Sequence, residues 1–175
     1  MIVTTAGSAA ANSYASAAEA DQYDDNRPAA SSSDTWATAT ATQKTEALLW
    51  ATKLIDRLVE WTGSAVDATQ ALQWPRIGMV KPTGFEHVGE MTIPQELKDA
   101  TSEYARQLIA DATRTDDYEV ESKGIKSLRA GPVTLEFSST ASAKALPDAV
   151  LYLLPPDWVS SVRGRASSFH RLVRA

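Results

Sequence analysis

Residues 70–78, reading Gln70, Ala71, Leu72, Gln73, Trp74, Pro75, Arg76, Ile77 and Gly78, are too apolar for an ordinary loop and lie between two segments with helical spacing. A tryptophan is a large side chain that favours burial. Pro75 fixes its own φ and biases the residue before it towards an extended conformation. Gly78 permits a turn that a side chain resists. The stretch therefore reads as a connector tucked against the body of the domain, with Trp74 as its peg in the core and Arg76 at the surface.

The 175 residues suit one domain with extensions. A net charge of −5 argues against a surface built to neutralise phosphates. There is no cysteine, which excludes disulfides, thiolate metal sites and a cysteine nucleophile. The longest uninterrupted apolar run, 149–154, is far too short to span a membrane. The first residues lack the basic start and apolar core of a secretory leader, so a soluble, intracellularly made protein is expected.

Taken in order, residues 1–12 are small and polar and predict a flexible or extended arm. Ser16 and Glu19 have capping-box spacing, which predicts a helix over 17–25 with Ala20 and Tyr23 facing inward. Residues 29–41 have loop composition, pinned by Trp36. Leu48, Ala51, Leu54, Ile55 and Leu58 recur at helical spacing and predict a long helix over 42–61 stopped by Gly63. Trp50 and Trp61 flank its apolar face; each suits either the core or a second subunit. A loop over 79–92 contains His87. Pro94 then opens a helix to about 113, with Leu97, Thr101, Tyr104, Ala105, Leu108 and Ala112 as its buried stripe. Leu48, Ile55, Trp74, Tyr104 and Leu108 form the expected core.

Asp116, Asp117, Glu119 and Glu121 make an acidic segment. Two strand-like runs, 124–129 and 133–137, surround an Ala-Gly-Pro turn and predict a hairpin. A short helix is expected over 147–154. The tail, 157–175, then reverses the charge: Arg163, Arg165, Arg171 and Arg174 stand against Asp157 alone, interleaved with Trp158, Val162, Phe169, Leu172 and Val173. A segment both basic and apolar suits docking, either onto another protein or back onto its own acidic body. The division is thus an arm (1–12), a helical domain (13–156) with its hairpin near 124–137, and a docking tail (157–175). The fold class is mainly α, a small helical bundle with one β-hairpin and extended terminal segments.

Nothing nominates an active site. The two histidines, His87 and His170, have no partner at zinc-site spacing. Nucleophile-elbow, phosphate-loop and dinucleotide fingerprints are missing, and the acidic run lacks the calcium-loop pattern. No cofactor is expected, and the chain reads as a non-enzyme. Aromatic residues interleaved with basic ones, the mark of single-stranded nucleic-acid binding, occur only in the tail.

Several motifs in order carry a resemblance. They are Asn12, Ser13 and Tyr14; EADQY at 19–23; ALLWATKLID at 47–56; QALQWPRIG at 70–78; IPQELKDA at 93–100; EYA at 103–105; and GIKSLRAGPV at 124–133. Together, over residues 12–155, they resemble the head-to-tail connector (adaptor) proteins of tailed bacteriophages, also found in gene transfer agents. Some of those relatives are labelled DnaT-like single-stranded-DNA-binding proteins. The resemblance implies a virion protein of the neck, a homo-oligomeric, typically dodecameric ring under the portal protein. Such a ring joins head to tail, meets a stopper or tail-terminator protein, and extends the channel through which double-stranded DNA leaves without specific binding. It also implies a C-terminal segment that reaches the portal, here Trp158, Arg163, Arg165, Phe169, Arg171 and Arg174. Arg76, Asp116, Asp117 and Glu119 are the candidate contacts between subunits. The alternative is a single-stranded-DNA-binding accessory protein of replication.

Overall fold

The structure, a computed structural model, describes residues 1–27, 35–84, 87–110, 127–130, 133–136 and 146–163. It is mainly helical. Its elements are α1 (Ala17–Asp25), α2 (Thr35–Thr38), α3 (Ala41–Leu58), β1 (Val59–Trp61), β2 (Ser64–Ala65), β3 (Arg76–Ile77), α4 (Gln95–Ala110), β4 (Ser127–Ala130), β5 (Val133–Glu136), α5 (Asp148–Leu153) and β6 (Val159–Val162). A 3-10 turn, Pro156–Trp158, joins α5 to β6.

Local chemistry starts the helices. Ser16 caps α1: its hydroxyl accepts the Glu19 amide at 3.3 Å, and Glu19 Oε2 accepts the Ser16 amide at 2.8 Å. Thr40 and Gln43 repeat the same reciprocal pair at the start of α3. Both boxes satisfy amides that a helix start leaves without partners. Trp36 lies in α2 rather than in a plain loop, because its ring is buried and its Nε1 donates to Asp21 Oδ1 at 3.0 Å.

Helix α4 is the central element. Helices α1, α2, α3 and α5 all pack against it. Its buried residues run almost all round: Leu97, Ala100, Thr101, Ser102, Glu103, Tyr104, Ala105 and Leu108. The hydroxyls of Thr101 and Ser102 donate back to the Leu97 and Lys98 carbonyls, each at 2.8 Å, so neither is left unsatisfied in the interior. Against this helix α3 turns Leu48, Ala51, Ile55 and Leu58, which are all but inaccessible.

Three two-stranded antiparallel sheets complete the architecture: β1 with β6, β2 with β3, and β4 with β5. The first corrects the expected helix over 42–61. Helix α3 ends at Leu58, and Val59 turns extended (φ −97°, ψ 126°). Val59, Glu60 and Trp61 then alternate buried, exposed, buried and pair with the tail strand: Val59 opposite Val162, Glu60 opposite Ser161, Trp61 opposite Val159. Three residues that continue a helical pattern are taken into a ladder because a distant segment supplies the carbonyls. Gly63, expected to stop a helix, instead turns the chain from β1 into β2 at φ +64°, where a Cβ would meet the Ile77 carbonyl at 2.3 Å.

The amino-terminal arm is tied down rather than free. Val3 and Asn12 exchange hydrogen bonds, Val3 N to Asn12 Oδ1 at 2.8 Å and Asn12 N to the Val3 carbonyl at 2.9 Å. The Ala71 amide donates to the Ser8 carbonyl at 3.3 Å, which fastens the arm to the connector. The hairpin appears within its expected span, with Leu128 opposite Leu135 and Ala130 opposite Val133.

Candidate functional site

The connector at 70–78 is held by a tryptophan cluster and a polar clamp. Trp74 is buried; its ring meets Trp61 edge to face at 5.6 Å and Trp158 at 5.1 Å. Edge-to-face and tilted aromatic pairs of this kind stabilise beyond their buried area. The Trp74–Pro75 peptide is cis. Under the rings, the Tyr14 hydroxyl donates to Asp56 Oδ1 and accepts the Trp74 amide at 3.3 Å, while the Gln73 amide donates to Asp56 Oδ2 at 3.1 Å. One carboxylate on α3 thus gathers the amino-terminal segment and the connector. Burial raises the Asp56 pKa to about 6, although the Tyr14 hydroxyl, the Gln73 amide and the Arg76 charge all oppose the shift. Burial and the charge of Asp56 hold the Tyr14 hydroxyl well above its ordinary value.

Arg76, expected at the surface as a contact for a neighbouring subunit, is only 8% exposed. Its Nε donates to the Thr62 carbonyl at 2.7 Å, its Nη2 to the Gly63 carbonyl at 2.8 Å, and its Nη1 to the Gln73 carbonyl at 3.2 Å. The guanidinium is spent on carbonyls at the β1–β2 turn and in the connector. Trp158 is corrected in the same sense. It is buried rather than presented for docking, and its Nε1 donates to the Val80 carbonyl at 2.5 Å. Through Val162 the tail folds back onto the body. Arg163 is exposed, its amide donates to the Leu58 carbonyl at 2.8 Å, and its side chain meets Glu60 at 3.4 Å. Arg165, Phe169, Arg171 and Arg174 lie outside the described residues, as do Asp116, Asp117 and Glu119.

A second polar centre, missed in the sequence, fixes α1 to α4. Glu103 is buried and accepts from Arg27 Nη1, from Arg106 Nη2 at 3.2 Å, from Gln107 Nε2 at 2.7 Å and from the Tyr23 hydroxyl at 3.2 Å. Burial pushes its pKa up, but the hydrogen bonds from Arg106 and Gln107 and the charges of Arg106 and Arg27 outweigh it and hold the carboxyl below its ordinary value. The signal was available: Glu103, Arg106 and Gln107 sit at i, i+3 and i+4 on one helix.

Both polar centres are filled by donors of their own chain, and each holds separate elements together. Among the described residues no three or more His, Asp or Glu gather where a metal ion could sit, and no helix is long and apolar enough to cross a membrane. What remains open is the outer surface. Four of the five tryptophans, Trp36, Trp61, Trp74 and Trp158, are buried. Trp50 on α3 and Tyr152 on α5 are the exposed large aromatic residues among those described, at 41% and 84%.

No curated protein and no solved structure matches the chain. One family model matches all of it, residues 1–175. The chain belongs to the family described as "Putative DnaT-like ssDNA binding protein".

Proposed function

We propose that this chain is a non-enzymatic structural subunit that assembles with copies of itself into a ring, the head-to-tail adaptor in the neck of a tailed-phage-like particle. Its partners in this reading are the portal protein above, a stopper or tail-terminator protein below, and double-stranded DNA that passes without being gripped. The observation that carries the reading is the hairpin β4–β5. Its strands pair only with each other among the described strands. A lone two-stranded hairpin is marginal in water, and its open edges are templates for another chain. Such an element suits an assembly in which a neighbour completes it. The net charge of −5 adds support, since a conduit that neutralised phosphates would hold DNA back. The ordered motifs over 12–155 supply the rest. Mixed with the portal protein of the same particle, the chain should form rings visible by electron microscopy; a chain that never joins portals overturns the reading.

The family description favours a second reading, single-stranded-DNA binding. That function needs exposed aromatic rings beside cations, and most tryptophans here are buried. Fluorescence anisotropy with a labelled oligothymidylate separates the two readings. Binding that weakens steeply with salt supports the second; no binding at low salt supports the first.

A further inference from the structure

The two exposed large aromatic residues among those described lie in oppositely charged surroundings on different elements. On α3, Trp50 shares the outward face with Lys53 and Arg57, both exposed, and Lys53 Nζ stands 5.8 Å from the ring centroid of Trp50. Glu46, one turn before Trp50, lies on the same face, which therefore holds two cations against one carboxylate and is opposite the buried stripe of Leu48, Ala51, Ile55 and Leu58. On α5, Tyr152 is opposite the buried Val150, with Asp148 one turn earlier on the same face and exposed Asp157 just past the helix. Both helices pack on α4 and make little contact with each other. The chain therefore carries a basic aromatic surface on one helix and an acidic aromatic surface on another.

We propose that the Trp50 face of α3 docks against the Tyr152 end of α5 of a second copy of this chain. The inference rests on the ring reading above and specifies its contact. Aromatic residues and arginine are enriched where proteins meet, and complementary charge sets the register. Two different surfaces that fit one another make a head-to-tail contact, which repeats from copy to copy and closes into a ring when the rotation allows. Each copy then buries Trp50 on one side and Tyr152 on the other. Nucleic acid is the poorer occupant of the Trp50 face: two cations on a chain of charge −5 neutralise few phosphates.

The absence of cysteine makes the test direct. A chain carrying both Lys53→Cys and Asp157→Cys, oxidised at high protein concentration, should give a ladder of disulfide-linked multimers. The two single-cysteine chains should link to each other in a mixture, and neither should link to itself. Trp50→Glu and Tyr152→Glu should each abolish the ladder when placed in the double-cysteine chain. Mixed together, these two should give pairs that extend no further, since each keeps the surface the other lost. Circular dichroism should show both folded, because neither side chain belongs to the core. Multimers that persist in both Glu variants overturn this contact and leave the ring reading standing. A wild-type chain that is monomeric at every concentration, with no cross-links in the cysteine chains and no rings on portals, overturns both. Loss of oligothymidylate binding in Trp50→Glu, with multimers unchanged, overturns the contact and assigns the face to DNA.

Discussion

The two ends of this bundle are fastened by different physics. Where α1 meets α4, the fastening is ionic: Glu103 gathers Arg27, Arg106, Gln107 and Tyr23 in one buried cluster. Where the connector meets the end of α3, it is aromatic: Trp61, Trp74 and Trp158 stack around a clamp with Asp56 at its base. The carboxylates shift in opposite directions. Glu103 has enough cations and amides to hold it below its ordinary value, whereas Asp56 has a hydroxyl, an amide and a more distant guanidinium, and burial prevails. A buried carboxylate stays readily ionised when its donors outweigh lost hydration and resists ionisation when they do not.

Trp74 is the centre of the aromatic end. Trp74→Ala should cost about 3–5 kcal/mol in urea unfolding, since it empties the centre of the aromatic end. A loss well below that would show that Trp61 and Trp158 close the gap. At the ionic end, Glu103→Ala should cost about 2–3 kcal/mol, less because Arg27 and Arg106 keep some access to water. If Glu103→Gln were as stable as wild type, the cluster would be acting through its hydrogen bonds alone.

The pH dependence sharpens the contrast. Asp56 has a folded pKa of about 6 against an ordinary 3.8, so the folded state holds its proton more tightly than the unfolded chain. Its contribution is therefore fully present below the unfolded value and is lost as pH rises through about 6. Asp56→Asn should remove this slope, and the stability difference between wild type and variant should change by about 3 kcal/mol across that window. A difference independent of pH would show that Asp56 is as well solvated as a surface carboxylate. Glu103 works the other way: its contribution is lost as pH falls through its depressed value. The smallest effect is expected at the helix caps, where Ser16→Ala should cost about 1 kcal/mol. A matching loss for Thr40→Ala would show that the two boxes are equivalent.

Short-range features were legible and long-range ones were not. The span of α1 follows from Ser16 and Glu19, because a capping box involves residues three apart. The same pattern at Thr40 and Gln43 was equally available and marks the start of α3. The end of α3 was not legible: Val59, Glu60 and Trp61 satisfy a helical pattern and a strand pattern alike, and only pairing with Val159–Val162, a hundred residues away in sequence, decides between them. The composition of the basic and apolar tail suits docking outward and folding back alike. Through Val162 the tryptophan cluster and the ladder with β1 settle it inward.

Residues 70–78 show the division most plainly. Sequence alone determined a packed link pegged by Trp74, because a tryptophan beside a proline in an apolar run has few ways to avoid the core. It also determined a mainly helical domain, from apolar spacing and caps that need only near neighbours. Tertiary structure alone decided the place of Arg76. A guanidinium goes to the surface unless carbonyls converge on it, and those of Thr62, Gly63 and Gln73 converge only once β2 and β3 have paired. The same reason sets the pKa of Asp56: burial is a property of everything around a group, and a sequence records only what lies beside it along the chain.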